Sequence, residues 1–106
     1  MNMLVPFHFV RFKSSVMNGG SLLHPESIEI DETFVTLRKK RGPFSGIKSI
    51  SIPILNIINV EVSPKATGAD ILIESFAKRQ IEGRGFSPSA ARKIESLLRE
   101  HAPRCR

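Results

Sequence analysis

QIEGRGFSPSAARKIESLLREH, residues 80 to 101, is the stretch on which the fold turns, because the chain changes its period inside it. Gln80 to Arg84 reads as extended chain. From Ser87 onward the pattern is helical. The Ser87 hydroxyl can accept from the orphan N–H groups of a first turn, and Pro88 fits that turn because its missing N–H costs nothing there. Ala91, Ile94, Leu97 and Leu98 fall on one face, with Arg92, Lys93, Glu95, Ser96, Arg99 and Glu100 on the other. Glu95 precedes Arg99 by four residues, the favourable order for a helical ion pair. Pro103 stops the helix just beyond His101. The spacing therefore predicts one helix over about 88–101, docked by one face, and a basic, frayed tail over 102–106.

Everything before it reads mostly in period two. Val5 to Lys13 suits a strand apolar on both faces, and Ser14 to Pro25, with Gly19 and Gly20, reads as a loop. Ile28 and Ile30, then Asp31-Glu32-Thr33, then Val35 and Leu37 predict a hairpin whose turn is braced by Asp31 accepting from N–H groups ahead of it. Gly42 to Gly46 is a second loop. Lys48 to Ile54 alternates, with Ile50, Ile52 and Ile54 on one face. Pro53 donates no ladder hydrogen bond and belongs at an edge or a strand end. Ile58, Val60 and Val62 continue the alternation with Asn59 and Glu61 facing out. Pro64 to Ala69 turns the chain. Ile71 and Ile73 alternate with Asp70, Leu72 and Glu74, and Ala77-Lys78-Arg79 reverses it into Gln80 to Arg84. About seven strands fit, and such short connections imply sequential antiparallel pairing.

A chain of 106 residues makes one domain, 1–106, since its halves are too small for separate cores. Cys105 is its only cysteine, so no internal disulfide forms, as suits a reducing compartment; the thiol is expected to be exposed. Met1 to Val10 lacks a basic leader and a cleavage site, and it falls far short of the ~20 apolar residues that span a bilayer. The expected location is the cytoplasm, with peripheral attachment at the inner face of the membrane as an option. A formal charge of +6 favours anionic partners, namely lipid headgroups, nucleic acid or an acidic protein. Its plainer alternative is solubility.

Seven strands followed by one amphipathic helix is the order of a pleckstrin-homology-like domain, and particular segments carry the likeness. Lys48 to Val62 resembles the signature stretch of bacterial PH-like and GRAM-like domains, where a strand ends in Ile-Pro and a further strand begins at Val. Gly68 to Glu74 is similar to their next strand, and Ser87 to Ile94 to their helix start. The likeness covers roughly residues 27–101. It implies a mainly β fold: a bent two-sheet β-barrel of about seven antiparallel strands, capped by one C-terminal helix. It also implies a non-catalytic binding module, since members bind lipids, peptides or proteins and some self-assemble. Fold alone does not choose among these.

The strongest local feature is Arg38-Lys39-Lys40-Arg41, running off a strand into a loop that holds Phe44. At a strand end all four basic side chains can splay into solvent. They could neutralise phosphates while Phe44 inserts into a bilayer interface or stacks on a base. Lys13, Lys78 and Arg79 complete the candidate anion-binding set. In the resembled family the lipid motif sits in the loop between the first two strands, where this chain offers only Lys13. The plainer alternative is a charged strand edge that blocks aggregation.

Other chemistry is poorly provided for. Gly83-Arg84-Gly85 fails as a phosphate loop because the next glycine of that pattern would fall at Pro88; these glycines are expected to supply unusual backbone angles. His8, His24 and His101 lack metal-ligand spacing, and no cofactor motif appears. Asp31 and Asp70 lie in turn-like contexts, and Glu29, Glu61 and Glu74 fall on outward strand positions, with no nucleophile–base pair. Nucleic acid is the least favoured partner: Tyr and Trp are absent, most phenylalanines pattern as core, and no helix-turn-helix, RNA-recognition or zinc-finger signature occurs. Two functions remain. One is a protein-interaction or self-assembling scaffold module. The other is an anionic-surface binder acting through residues 38–41.

Overall fold

The computed structural model describes residues 10–21, 24–40, 46–76 and 78–105. Seven strands and one helix follow in order: β1 (Val10–Lys13), β2 (Glu26–Ile30), β3 (Phe34–Lys40), β4 (Ile47–Pro53), β5 (Ile57–Pro64), β6 (Ala69–Ser75), β7 (Gln80–Phe86) and α1 (Pro88–His101). Every pairing is antiparallel between sequence neighbours. The ladders give a four-stranded sheet, β1-β2-β3-β4, and a three-stranded sheet, β5-β6-β7, and among the described residues they do not close into a barrel. The expected strand at Val5 to Phe9 lies outside the described residues. Its remainder, β1, is apolar on one face only, with Val10 and Phe12 inward and Arg11 and Lys13 exposed.

Local chemistry explains the corners. The Asp31 carboxylate Oδ1 accepts from the N–H groups of Thr33 and Phe34, both at 2.7 Å, which fixes the β2–β3 hairpin. Pro53 ends the edge strand β4, and Ile54 opens a 3-10 turn (Ile54–Asn56) instead of prolonging the strand, its side chain buried all the same. The loop after β1 holds a second such turn, Val16–Asn18. Ser87 caps α1 as its sequence demands, its Oγ accepting from the Ala90 N–H at 3.1 Å.

Both sheets and the helix share one core. Phe12, Ile28, Ile30, Val35, Leu37 and Ile52 come from the first sheet, Ile57, Val60, Ile71, Ile73, Ile81 and Phe86 from the second, and Ala91, Ile94 and Leu98 from α1. Three details depart from the sequence reading. A register shift between Ile57 and Asn59 puts Ile57 in the core and turns Ile58 outward, 38% exposed. Leu97 sits only half-buried at the margin of the helix face that Leu98 centres. The described part of the tail, 102–105, is not frayed: Ala102 is buried, and Cys105 is half-buried against the core with its N–H on the Ala102 carbonyl.

The sheets meet at β7, which runs on past Arg84 to the buried Phe86. Gly83 does not supply a positive φ. It is needed because a Cβ there would press on the Phe86 ring and on Ile28 across the core. Gly85 does adopt φ 78°, and a Cβ on it would strike the Gly20 backbone. At the same corner the Ser15 N–H donates to the Gly85 carbonyl at 2.9 Å, so the β1–β2 loop is held against the second sheet.

Candidate functional site

The predicted basic run is tied into the fold where it is described. Arg38 extends from the outer face of β3, and its Nε stands 3.0 Å from Glu29 Oε2. Arg11, on β1, reaches the same oxygen at 2.9 Å. The pairing of β1, β2 and β3 makes this inevitable: Arg11 lies opposite Glu29, and Arg38 opposite Ser27, its neighbour two residues on. The two half-exposed guanidinium groups roof Glu29, which is 6% exposed although its strand position points outward. Both contacts are electrostatic, neither having hydrogen-bond geometry.

Lys39 points to the opposite face and stands 3.8 Å from Glu26. Glu26 Oε1 in turn accepts from the Arg84 N–H of β7 at 3.1 Å, which links the two sheets. Burial raises the Glu26 pKa above the usual glutamate value, against the lowering pull of the Arg84 hydrogen bond and the Lys39 charge. Lys40 is exposed, while its backbone N–H is held by the Pro25 carbonyl. Arg41 and Phe44 lie outside the described residues. So Arg38 and Lys39 do not splay freely; each faces a carboxylate that the sheet has desolvated.

The other candidates divide between two places. Lys13 borders an open hollow of about 240 Å³ with Ser14, Pro25, Glu26 and Ser27, where the other ionisable lining residue is a carboxylate. Lys78 and Arg79 are exposed on the β6–β7 turn, Lys78 at φ 64°, and follow directly on Phe76 and Ala77. They do not join Lys13 and Arg38 in one patch. A further hollow of about 190 Å³ lies between Leu37, Lys39, Lys48, Ile50, Gln80 and Glu82. Both volumes fall below the ~300 Å³ at which small-molecule pockets usually begin.

An apolar cluster stands at the other end of β3, roughly 20 Å along the strand from Lys40. Phe34 lies opposite Pro53 in the ladder, and the Phe76 N–H bonds to the Asn56 carbonyl at 3.1 Å. Leu55 and Ile58 occupy the same short corner, 53–58. Phe34, Leu55, Ile58 and Phe76 are all exposed, Leu55 to 64% and Phe76 to 52%. The Arg104 guanidinium lies 5.1 Å from the Phe76 ring centroid. Period-two reading missed this cluster for two reasons. Phe34 and Phe76 sit at strand ends, beyond the reach of alternation, and the bulge reverses Ile58.

The outer face of the second sheet carries a third feature. The register places Asn59, Glu74 and Gln80 in one row and Glu61, Leu72 and Glu82 in the next. Asn59 Nδ2 donates to Glu61 and Glu74, at 3.2 and 3.0 Å, and Gln80 Nε2 to Glu82 at 3.3 Å. Amides thus hold these three carboxylates, which form no ion pair among the described residues. Glu61, Lys65, Asp70, Leu72, Glu82 and Arg84 are among the residues that line an open hollow of about 240 Å³.

No group of three or more His, Cys, Asp or Glu placed to hold a metal ion occurs among the described residues, and no described helix is long and apolar enough to cross a membrane. Comparison with protein-family models, curated proteins and solved structures finds no match for this chain.

Proposed function

We propose that the chain is a pleckstrin-homology-like, non-catalytic binding module that serves protein–protein contact or self-assembly as a scaffold. The succession of four strands, three strands and one helix on a shared core supports the fold reading. The functional reading is carried by the exposed cluster of Phe34, Leu55, Ile58 and Phe76. Gathered apolar surface of this kind, with arginine over an aromatic ring, is the composition of protein contact sites.

The anionic-surface alternative draws on Lys13, Lys40, Lys78 and Arg79, which are exposed and form no ion pair among the described residues. It is weakened by Arg38 and Lys39, whose charges face Glu29 and Glu26.

Sedimentation velocity at physiological salt, over a range of concentrations, tests the reading with the double variant Leu55→Ser, Ile58→Ser. The wild type is expected to associate with rising concentration. The variant should shift toward monomer with a melting temperature within about 3 °C of wild type, because both side chains are exposed. A strict monomer that co-sediments with anionic but not neutral liposomes, and loses that binding in Lys13→Glu, Lys40→Glu, would replace the reading with the membrane one.

A further inference from the structure

The inner faces of the two sheets meet in one core, so their outer faces look away from each other on opposite sides of the molecule. These outer faces differ in sign. On the first sheet Arg11, Lys13, Arg38 and Lys40 stand with one carboxylate among the described residues, Glu29, which is itself roofed over. On the second sheet Glu61, Asp70, Glu74 and Glu82 stand with Lys65 and Arg84. A basic protein has thus gathered four of its ten acidic residues on one sheet face.

The acidic face also has relief. Its hollow is lined by Leu72 together with the carboxylates of Glu61, Asp70 and Glu82, which outnumber the two cations that also line it, Lys65 and Arg84. Apolar surface beside an excess of carboxylates fits a long basic side chain, whose methylene stem lies on the leucine while its charged head meets a carboxylate. Lys65 already faces Asp70, though at 4.0 Å and largely in solvent, whereas Glu61 and Glu82 are held only by amides. The first sheet offers the matching side chains: Lys13 and Lys40 are exposed, while Arg11 and Arg38 are engaged by Glu29.

We propose that the two outer faces are complementary halves of one contact, so that the chain associates head to tail: Lys13 and Lys40 of one copy dock on the Leu72 hollow and the carboxylates of the next. This rests on the reading of the chain as a protein-interaction module and names the surfaces and the partner. The contact is heterologous, each copy giving a different face, so association builds rings or open chains instead of stopping at a two-fold dimer.

The experiment is sedimentation velocity on the full chain at about 0.01 M and about 1 M salt, where the screening length falls from about 30 to about 3 Å. Two double variants accompany the wild type: Glu61→Lys, Glu82→Lys and Lys13→Glu, Lys40→Glu. Wild type is expected to associate at low salt and to do so at least roughly tenfold more weakly at high salt. Each variant alone should lose the salt-sensitive association at low salt, keeping at most the salt-insensitive association of the apolar cluster. Their equimolar mixture should regain the salt-sensitive association, because one brings the native basic face and the other the native acidic face. Wild-type association that ignores salt and survives undiminished in both variants would overturn the head-to-tail contact while leaving protein contact through the apolar cluster standing. A wild type that is monomeric at low salt, or a mixture that fails to regain the salt-sensitive association, would also overturn it. If a variant does not fold, the salt dependence of the wild type alone still decides.

Discussion

The outer faces of the two sheets treat their carboxylates in opposite ways. On β2, Glu29 is covered by two guanidinium groups reaching in from β1 and β3, and its charge is cancelled where it stands. On β5, β6 and β7, Glu61, Glu74 and Glu82 are steadied by Asn59 and Gln80, whose neutral amides orient a carboxylate without discharging it. Both arrangements satisfy oxygen atoms, but only the second leaves a field for a partner to feel. A net charge of +6 therefore describes neither surface. What a face presents is decided by which charges the register sets side by side.

The most damaging way to test this contrast is to take the charge out of the roof over Glu29. Arg11→Met with Arg38→Met keeps a cover on the carboxylate but removes both cations, and the expected loss is about 3 kcal/mol of stability at neutral pH by chemical denaturation. Adding Glu29→Gln should recover most of it. On the other sheet Glu61→Gln with Glu82→Gln should stay within about 0.5 kcal/mol of wild type. Equal losses on the two faces would erase the distinction.

Next comes the corner where the sheets join. Gly85→Ala forces a side chain into φ 78° against the Gly20 backbone and should cost about 2 kcal/mol or more. A neutral outcome would mean that the β1–β2 loop is free to move off β7.

The smallest effect belongs to Glu26. Its pKa is raised on folding, so the folded state holds its proton more tightly than the unfolded chain does. That contribution to stability is complete below the unfolded glutamate value and is lost as pH rises through the higher folded value. Glu26→Gln keeps an oxygen for the Arg84 N–H and should flatten the stability profile just above the ordinary glutamate range. At neutral pH it should change stability by about 1 kcal/mol at most. An unchanged slope would assign the pH dependence elsewhere.

Much of the fold was legible because its signals are local. Ser87 and Pro88 start a helix and Pro103 ends one wherever they occur, Asp31 braces its own turn, and Pro53 cannot lie within a central strand. The surfaces were less legible because they depend on register. Glu61 and Glu74 could be read as outward, but their row with Leu72 and Glu82 exists only once three strands far apart in sequence are aligned. Glu29 likewise patterns as outward, and nothing local to Ser27–Ile30 reveals that Arg11 and Arg38 will close over it. A single bulge was enough to exchange Ile58 for Ile57 and so to place a fourth side chain in the apolar cluster.

One guanidinium gives the molecule a reporter of its own breathing. Arg99 donates from Nη2 to the Val60 carbonyl of edge strand β5 at 2.6 Å, stands 3.4 Å from Glu95, and sets Nη1 3.8 Å from the Cys105 sulfur. The last helical turn, a strand edge and the only thiol in the chain are thus fastened at one point. When that turn lifts, the thiol is released with it. The rate at which a small alkylating reagent consumes Cys105 under native conditions, set against the rate in the unfolded chain, then reports how firmly the tail and that last turn are held, without any label being introduced.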